Sequence, residues 1–309
     1  MPRSAGDSWD IVTSVGATAL AVATMRAIEA RKPAPLARDD YAQHFVSATA
    51  AQAPVFSELL NDPAVAEEPD VDMFSRGMGA RTRYFDEFFA AAGAAGIRQV
   101  VLLAAGLDVR GYRLPWPTGT TVYEVDLPKV LEFKAQVLEE HSAKKTATLH
   151  ALPVDLRDDW PTVLTGAGFQ RTEPTAWLAE GLLPFLPGAA QDLLFARVTE
   201  LSAPGSQFAV EDFADRSAHA SDRTIDPGSQ GGAVQRMFET FLEDGAEPSS
   251  LWFDDERADP AQWLSDHGWT IAATTARELL SRYDSSLDEA DHPMAGAFGD
   301  TRYFTATVG

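Results

Sequence analysis

Apolar residues along this 309-residue chain recur with two different spacings, and the alternation between them outlines the architecture. Val15, Thr18, Ala19 and Val22 recur at helical spacing, predicting an amphipathic helix of about four turns that Lys32-Pro33-Ala34-Pro35 breaks. A second helix is expected after Asp39, with Tyr41, Phe45 and Ala48 inward and Pro54 ending it. Phe56, Leu59 and Leu60 suggest a short third. From Val71 to Ala92 the helical period is strongest. Phe74, Met78, Phe85 and Phe88 form one stripe at about 100° per residue, with Arg81 in its middle and Arg76 and Arg83 pointing away.

Val100 to Ala104 is then an unbroken apolar run, too short for a helix, as a strand buried on both faces requires. Further strands are expected at Thr120 to Val125, Thr146 to Val154, Ala176 to Ala179 and Gln207 to Val210. Between them lie a helix opened by Pro128, with Leu131, Lys134 and Leu138 on one face, and another carrying Leu193, Leu194, Arg197 and Leu201. Strands alternating with helices predict an α/β fold with a mostly parallel sheet covered on both faces. From Asp215 to Gly232 the chain turns polar and glycine-rich, the pattern of a lid that is mobile without ligand. A helix around Val234 follows, then one capped by Asp259-Pro260 that stops at Gly268, and a strand from Trp269 to Ala273. The closing run Tyr303 to Val308 should form an antiparallel edge. One domain is expected over 1–309, with a helical cap at 1–75, a core at 76–309 and a lid-like insertion at 215–245. The helical preface must pack over an edge or end of the sheet, either capping a crevice or merely shielding the sheet.

Composition narrows the partners. Lys and Arg total 25 against 46 Asp and Glu, a formal charge of −21, which repels phosphate backbones and anionic membranes. Neither nucleic acid nor a membrane is therefore expected as a partner. With no cysteine there is no disulfide and no thiolate zinc site, and six scattered histidines suggest no metal. The run Val15 to Ala30 carries Arg26 and Glu29 and does not read as a signal peptide, so a cytoplasmic protein is expected.

The chemistry should sit where parallel strands end, the usual place for ligands in open sheets. After the first strand comes a small-residue turn, Ala104-Ala105-Gly106-Leu107-Asp108, and the second strand ends on Asp126, twenty residues after Gly106. A small turn lets backbone approach a ligand, and an acid ending the second strand accepts hydrogen bonds from ribose hydroxyls. Gly106 and Gly111 are the only glycines there, so the dinucleotide fingerprint is absent and a nucleoside without pyrophosphate fits better. Asp155-Leu156 and Glu180 stand at two further strand ends. One acid at such an end is more often a helix cap, whereas three in succession beside a small turn make an acidic rim. Ribose, an adenine amino group and a cationic centre would all suit it, and S-adenosylmethionine has all three. Arg81, charged on a buried face close to the first strand's outlet, needs an anion. A ligand carboxylate is taken ahead of a structural ion pair, so removing Arg81 should spare the apo fold.

These motifs resemble the bacterial S-adenosylmethionine-dependent methyltransferases related to leucine carboxyl methyltransferase, in particular the actinobacterial and mycobacterial branch. The likeness runs through Ser14 to Leu20, Ala80 to Asp86, Leu103 to Leu114, Tyr123 to Pro128, Asp155-Leu156-Arg157 and Glu180 to Leu186. It implies a class I, Rossmann-like sheet of seven strands with an added helical cap. It also implies that Arg81 holds the cofactor carboxylate and that Ala104 and Gly106 lie against its methionine part. Asp126 would take the ribose, Asp155 and Leu156 the adenine, and Glu180 would line the reaction end. The expected activity is O-methylation of a carboxyl or hydroxyl on a small molecule. Alternatives are an NAD-dependent oxidoreductase, which lacks its glycine fingerprint here, and a non-catalytic nucleoside-binding module. No general base is identified; His44, His150 and His219 read as surface or core residues.

Overall fold

A computed structural model of the chain describes residues 15–213, 253, 255–284 and 301–309. The insertion expected at 215–245, with its 215–232 lid and the helix around Val234, lies outside the described residues.

The sheet has seven strands: β1 (Gln99–Leu103), β2 (Thr121–Asp126), β3 (Thr148–Pro153), β4 (Thr175–Ala179), β5 (Gln207–Phe213), β6 (Trp269–Thr275) and β7 (Thr301–Val308), in the order β3-β2-β1-β4-β5-β7-β6. β1 is buried throughout and its side chains alternate between the two faces. Val100 and Leu102 join one core cluster with Val122, Ala176, Leu178 and Ala209, while Val101 and Leu103 join the other with Val125, Trp177, Phe208 and Val210. That is the period-2 consequence of a strand sandwiched between helical layers. The five strands β1 to β5 pair in parallel, so their carboxyl ends lie on one edge of the sheet.

The expected antiparallel edge is corrected. β7 is antiparallel to both β5 and β6 and lies between them, which leaves β6 at the edge. The closing run is apolar enough for that inner place, with Tyr303, Phe304 and Ala306 buried.

Helices α1 (Val15–Arg31), α2 (Ala42–Ala48), α3 (Pro54–Asn61) and α4 (Pro63–Ala66) form the preface, followed by α5 (Pro69–Ala94). Phe74, Met78, Arg81, Phe85 and Phe88 are all buried, as the period predicts. Arg76 departs from the expectation of pointing away: it is largely buried and ion-paired to Glu29 and Asp284. Ala48 is exposed, and Ala42, Phe45 and Val46 carry the inner face of α2. The preface packs on α5 and reaches the sheet's outlet edge through Arg26, whose Nη2 donates to the Leu107 carbonyl at 3.0 Å. Unanticipated short helices are α4, α6 (Arg110–Arg113), α8 (Trp160–Gly166) and α11 (Ala276–Tyr283). The expected helices appear as α7 (Pro128–Glu140), α9 (Gly188–Leu201) and α10 (Pro260–Asp266).

The α1–α5 contact depends on a glycine. A Cβ on Gly79 would lie 2.7 Å from Glu29 Cγ, and Glu29 is buried, accepting from Arg76 at 2.9 Å and from the Leu36 amide at 2.7 Å. Gly79→Ala is therefore expected to cost about 1–3 kcal/mol by overpacking, even though alanine favours a helix. Thermal melting checks this; an unchanged or raised melting temperature would mean that Glu29 moves aside freely.

Candidate active site

Each strand outlet contributes to one cluster. At the end of β1 the chain turns back through two left-handed residues, Ala104 with φ 54° and Gly106 with φ 49°. For alanine this conformation is strained, and such strain concentrates at functional sites. The nearest atom to a Cβ built on Gly106 would be the Ala104 carbonyl oxygen at 3.9 Å, so the glycine faces open space. Its amide donates to Asp126 Oδ2 at 2.6 Å, while Oδ1 accepts from the Leu127 amide at 2.6 Å. Sequence spacing and structure thus bring Gly106 and Asp126 together. Burial pushes the Asp126 carboxyl up, against the pull of those two amides.

Asp155 and Leu156 follow β3, both half-buried. Asp155 accepts from Arg157, from its backbone amide at 2.8 Å and its guanidinium at 2.6 Å. Burial alone would raise the Asp155 carboxyl, but those bonds outweigh it and hold the group below its ordinary value. Asp155 is thus tied to Arg157 in a local turn, and the next helix is capped by Asp159, whose side chain accepts from the Thr162 amide.

Arg81 differs most from expectation. It is buried, as predicted, but it already has carboxylate partners: Glu211 Oε2 lies 2.6 Å from Nη2 and Glu180 Oε1 lies 3.2 Å from Nε. The idea of a cation unpartnered in the apo protein is overturned, because two strand ends that are remote in sequence converge on it. Its donors are nonetheless not all used. Nε has no aligned hydrogen-bond acceptor among the described residues, and Nη1 faces only the Met78 sulfur at 3.5 Å. Burial opposes the Arg81 charge, and Glu211 and Glu180 more than offset it.

Glu211 was not among the residues expected at the site; it lies in β5 just past the last residue paired with β4. It accepts from the Gly181 amide at 2.7 Å and sits opposite Tyr303 in the β5–β7 register. Burial drives its carboxyl up to about 6, with Arg81 pulling it down and Glu180 pushing it up. Gly181 has φ 64°, and a Cβ there would meet Arg81 Nη2 at 2.8 Å, so only glycine leaves room for the guanidinium.

A second buried cation, Arg110, was also missed. It lies in the quoted run Leu103 to Leu114, where neither period marks it as internal. Its side chain contacts Asp86 at 2.8 Å, Glu180 Oε2 at 2.7 Å and Asp108. Asp86 is held in turn by Arg113 at 2.6 Å.

Of the seven residues expected at the site, Ala104, Gly106, Asp126, Asp155, Leu156 and Glu180 are half-buried at the strand outlets, and Arg81 is buried against Glu180. His44 stacks on His141 at 3.8 Å and His150 stacks on Tyr123, so neither belongs to this cluster; His219 is outside the described residues. No group of acids and histidines suited to a metal ion occurs among the described residues, nor any helix long and apolar enough to cross a membrane.

Comparison with known proteins follows the same lines. The family model for leucine carboxyl methyltransferase matches residues 19–199. A Mycobacteroides abscessus protein named as a candidate S-adenosyl-L-methionine-dependent methyltransferase is 66% identical over 309 residues, spanning 100% of both chains. A Rhodococcus jostii protein of the same name is 48% identical over 307 residues, covering 98% of this chain and 99% of its own. Among solved structures, a candidate methyltransferase from Thermobifida fusca superposes with a TM-score of 0.50 at 16% identity, covering 93% of this chain and 94% of its own, a likeness of fold alone.

Proposed function

Since the chain belongs to the leucine carboxyl methyltransferase family, it is an S-adenosyl-L-methionine-dependent methyltransferase with a class I α/β fold, and we propose that it methylates oxygen, on a carboxyl or hydroxyl group of a small molecule. The observation that supports the cofactor's place is the Gly106–Asp126 pairing at the outlets of β1 and β2. Open space beside Gly106 admits a ligand against the backbone. Each Asp126 oxygen accepts one amide and keeps lone-pair capacity for a hydroxyl donor. The residues present therefore fit the cofactor.

In this reading Asp126 takes the ribose, Asp155 and Leu156 the adenine, Ala104 and Gly106 the methionine part, Arg81 the carboxylate, and Glu180 lines the reaction end. Helices within 1–75 cap a single domain whose core is 76–309. The cofactor supplies a methyl group made electrophilic by its sulfonium. The protein's work is then to align the acceptor and exclude water. A carboxyl acceptor is ionised at neutral pH and needs no base, which suits an outlet cluster without histidine among the described residues.

Asp126→Ala tests the assignment. Losing charge-assisted hydrogen bonds costs about 1.5–3 kcal/mol each, so calorimetry should show affinity for S-adenosylhomocysteine reduced by more than tenfold. Wild-type affinity would remove Asp126 from the site. Turnover on a panel of carboxylic acids, phenols and alcohols tests the acceptor class; cofactor binding with no methyl transfer to any of them would overturn the assignment of a small-molecule oxygen acceptor.

A further inference from the structure

Glu180 is shared by two cations from different elements, and the two contacts are unequal. Its Oε2 lies 2.7 Å from Arg110 Nη1 in hydrogen-bond geometry, whereas its Oε1 lies 3.2 Å from an Arg81 Nε that is not aligned to bond it. Arg110 is itself locked. It is 1% exposed; its Nε donates to Asp86 Oδ1 at 2.8 Å and its Nη1 also meets Asp108. The rings of Phe85 and Phe89 flank its guanidinium at 5.9 and 5.8 Å. Arg113 holds both Asp86 oxygens, at 2.6 and 2.7 Å, so the whole assembly is braced from α6 and α5. Arg81 is held firmly only on its other side, by Glu211 at 2.6 Å.

We propose that Arg110 is a positioning residue for Glu180: it fixes that carboxylate at the β4 outlet, so that a ligand carboxylate reaching Arg81 need not compete with Glu180 for the same guanidinium. The inference rests on the reading that Arg81 receives the cofactor carboxylate. Without Arg110, Glu180 would have Arg81 as its one cation among the described residues and would close onto it. A carboxylate that already fills the Nε donor excludes another from it, since a guanidinium has a fixed set of donors in a fixed plane. The braced geometry also sets the direction of Glu180 at the reaction end, which a flexible ammonium in place of Arg110 would not reproduce.

The test uses two ligands that share the thioadenosine part. S-adenosylhomocysteine carries the amino-acid end, and 5′-methylthioadenosine lacks it. Arg110→Lys keeps a charge but loses the planar fork. It should lower the affinity for S-adenosylhomocysteine about tenfold, the effect of losing one charge-assisted bond, and leave that for 5′-methylthioadenosine within about twofold. In a Glu180→Gln background the same substitution should change the ratio of the two affinities no further, because Arg110 acts through Glu180. An unchanged ratio in Arg110→Lys, equal losses for both ligands, or an additive effect in the Glu180→Gln background would each overturn the proposal. Should Arg110→Lys fold poorly, Asp86→Asn loosens the brace with the arginine retained, and the ratio should fall by a smaller factor; an unchanged ratio there counts against the proposal equally. Arg81→Lys keeps the underlying reading separate. If it leaves the ratio at the wild-type value, the assignment of Arg81 fails, whereas a lowered ratio beside an unaffected Arg110→Lys fails the positioning role alone.

Discussion

Lys134→Ala should be among the most destabilising single substitutions in the chain, at about 3–5 kcal/mol, because it strands a buried carboxylate. Lys134 Nζ lies 2.7 Å from Glu124 Oε2 and donates to the Asp108 carbonyl at 3.0 Å. Both side chains are almost wholly buried, and Glu124 stands in the middle of β2. Burial already pushes the Glu124 carboxyl above its ordinary value, with Lys134 pulling it back. Without that pull the folded state binds the Glu124 proton more tightly still than the unfolded chain does. The deficit should therefore shrink as the pH falls towards about 4 and grow as it rises through the folded-state value. Replacing both partners by apolar residues, Lys134→Met with Glu124→Leu, should recover much of the loss, since the desolvation cost goes with the charges. Urea unfolding at neutral and acid pH measures all of this. A loss below about 1 kcal/mol, typical of a surface pair, would contradict the buried geometry.

Arg81→Ala should act on both ligand and fold. The cofactor assignment predicts that affinity for S-adenosylhomocysteine falls on the order of a hundredfold, as a two-point hydrogen bond to a carboxylate is lost. The ion pairs predict in addition a loss of about 3–5 kcal/mol of stability, because Glu211 and Glu180 converge on the missing cation. Arg81→Lys retains the charge and should fall between wild type and alanine on both measures. The pH dependence follows from Glu211, whose carboxyl stands at about 6 with Arg81 present. Since a carboxyl raised by burial favours the folded state only while protonated, removing Arg81 extends that behaviour upwards. The stability deficit should be smaller at acid pH than at neutral pH. Melting curves with and without S-adenosylhomocysteine separate the contributions. A lowered melting temperature with unchanged affinity would leave Arg81 a structural cation only, and lost affinity at full stability would mean that the two acids do not depend on it.

What was legible in the sequence was whatever a local period or a fixed spacing encodes. Val100 to Leu103 announced a doubly buried strand by having no polar face, and Arg81 announced its burial by standing in line with Met78 and Phe85. Asp126 was found because a turn, a crossover and a strand have nearly fixed lengths. The partners of Arg81 were not legible, since Glu180 and Glu211 reach it through the order of strands in the sheet, which no local pattern records. Arg110 escaped because it occupies a four-residue helix, too short to show a period. The helix Ala276–Tyr283 is a different kind of miss. Thr275 and Glu278 form a complete capping box, and that signature was present in the letters.

The position of β7 also bears on how the sheet is assembled in time. Gln207 pairs with Thr307 and Trp269 with Val308, so the strand that comes last must enter between two made before it. Until it arrives, β6 has no strand neighbour among the described residues and β5 presents the Phe208 and Val210 side of its backbone unsatisfied. Bringing together segments so far apart in sequence costs entropy before any pairing repays it, so the entry of β7 is expected to be late and slow relative to the β3-β2-β1-β4 block. A nascent chain still lacking residues 301–308 carries an open, apolar strand edge, the kind of surface that invites association with other chains and that molecular chaperones cover.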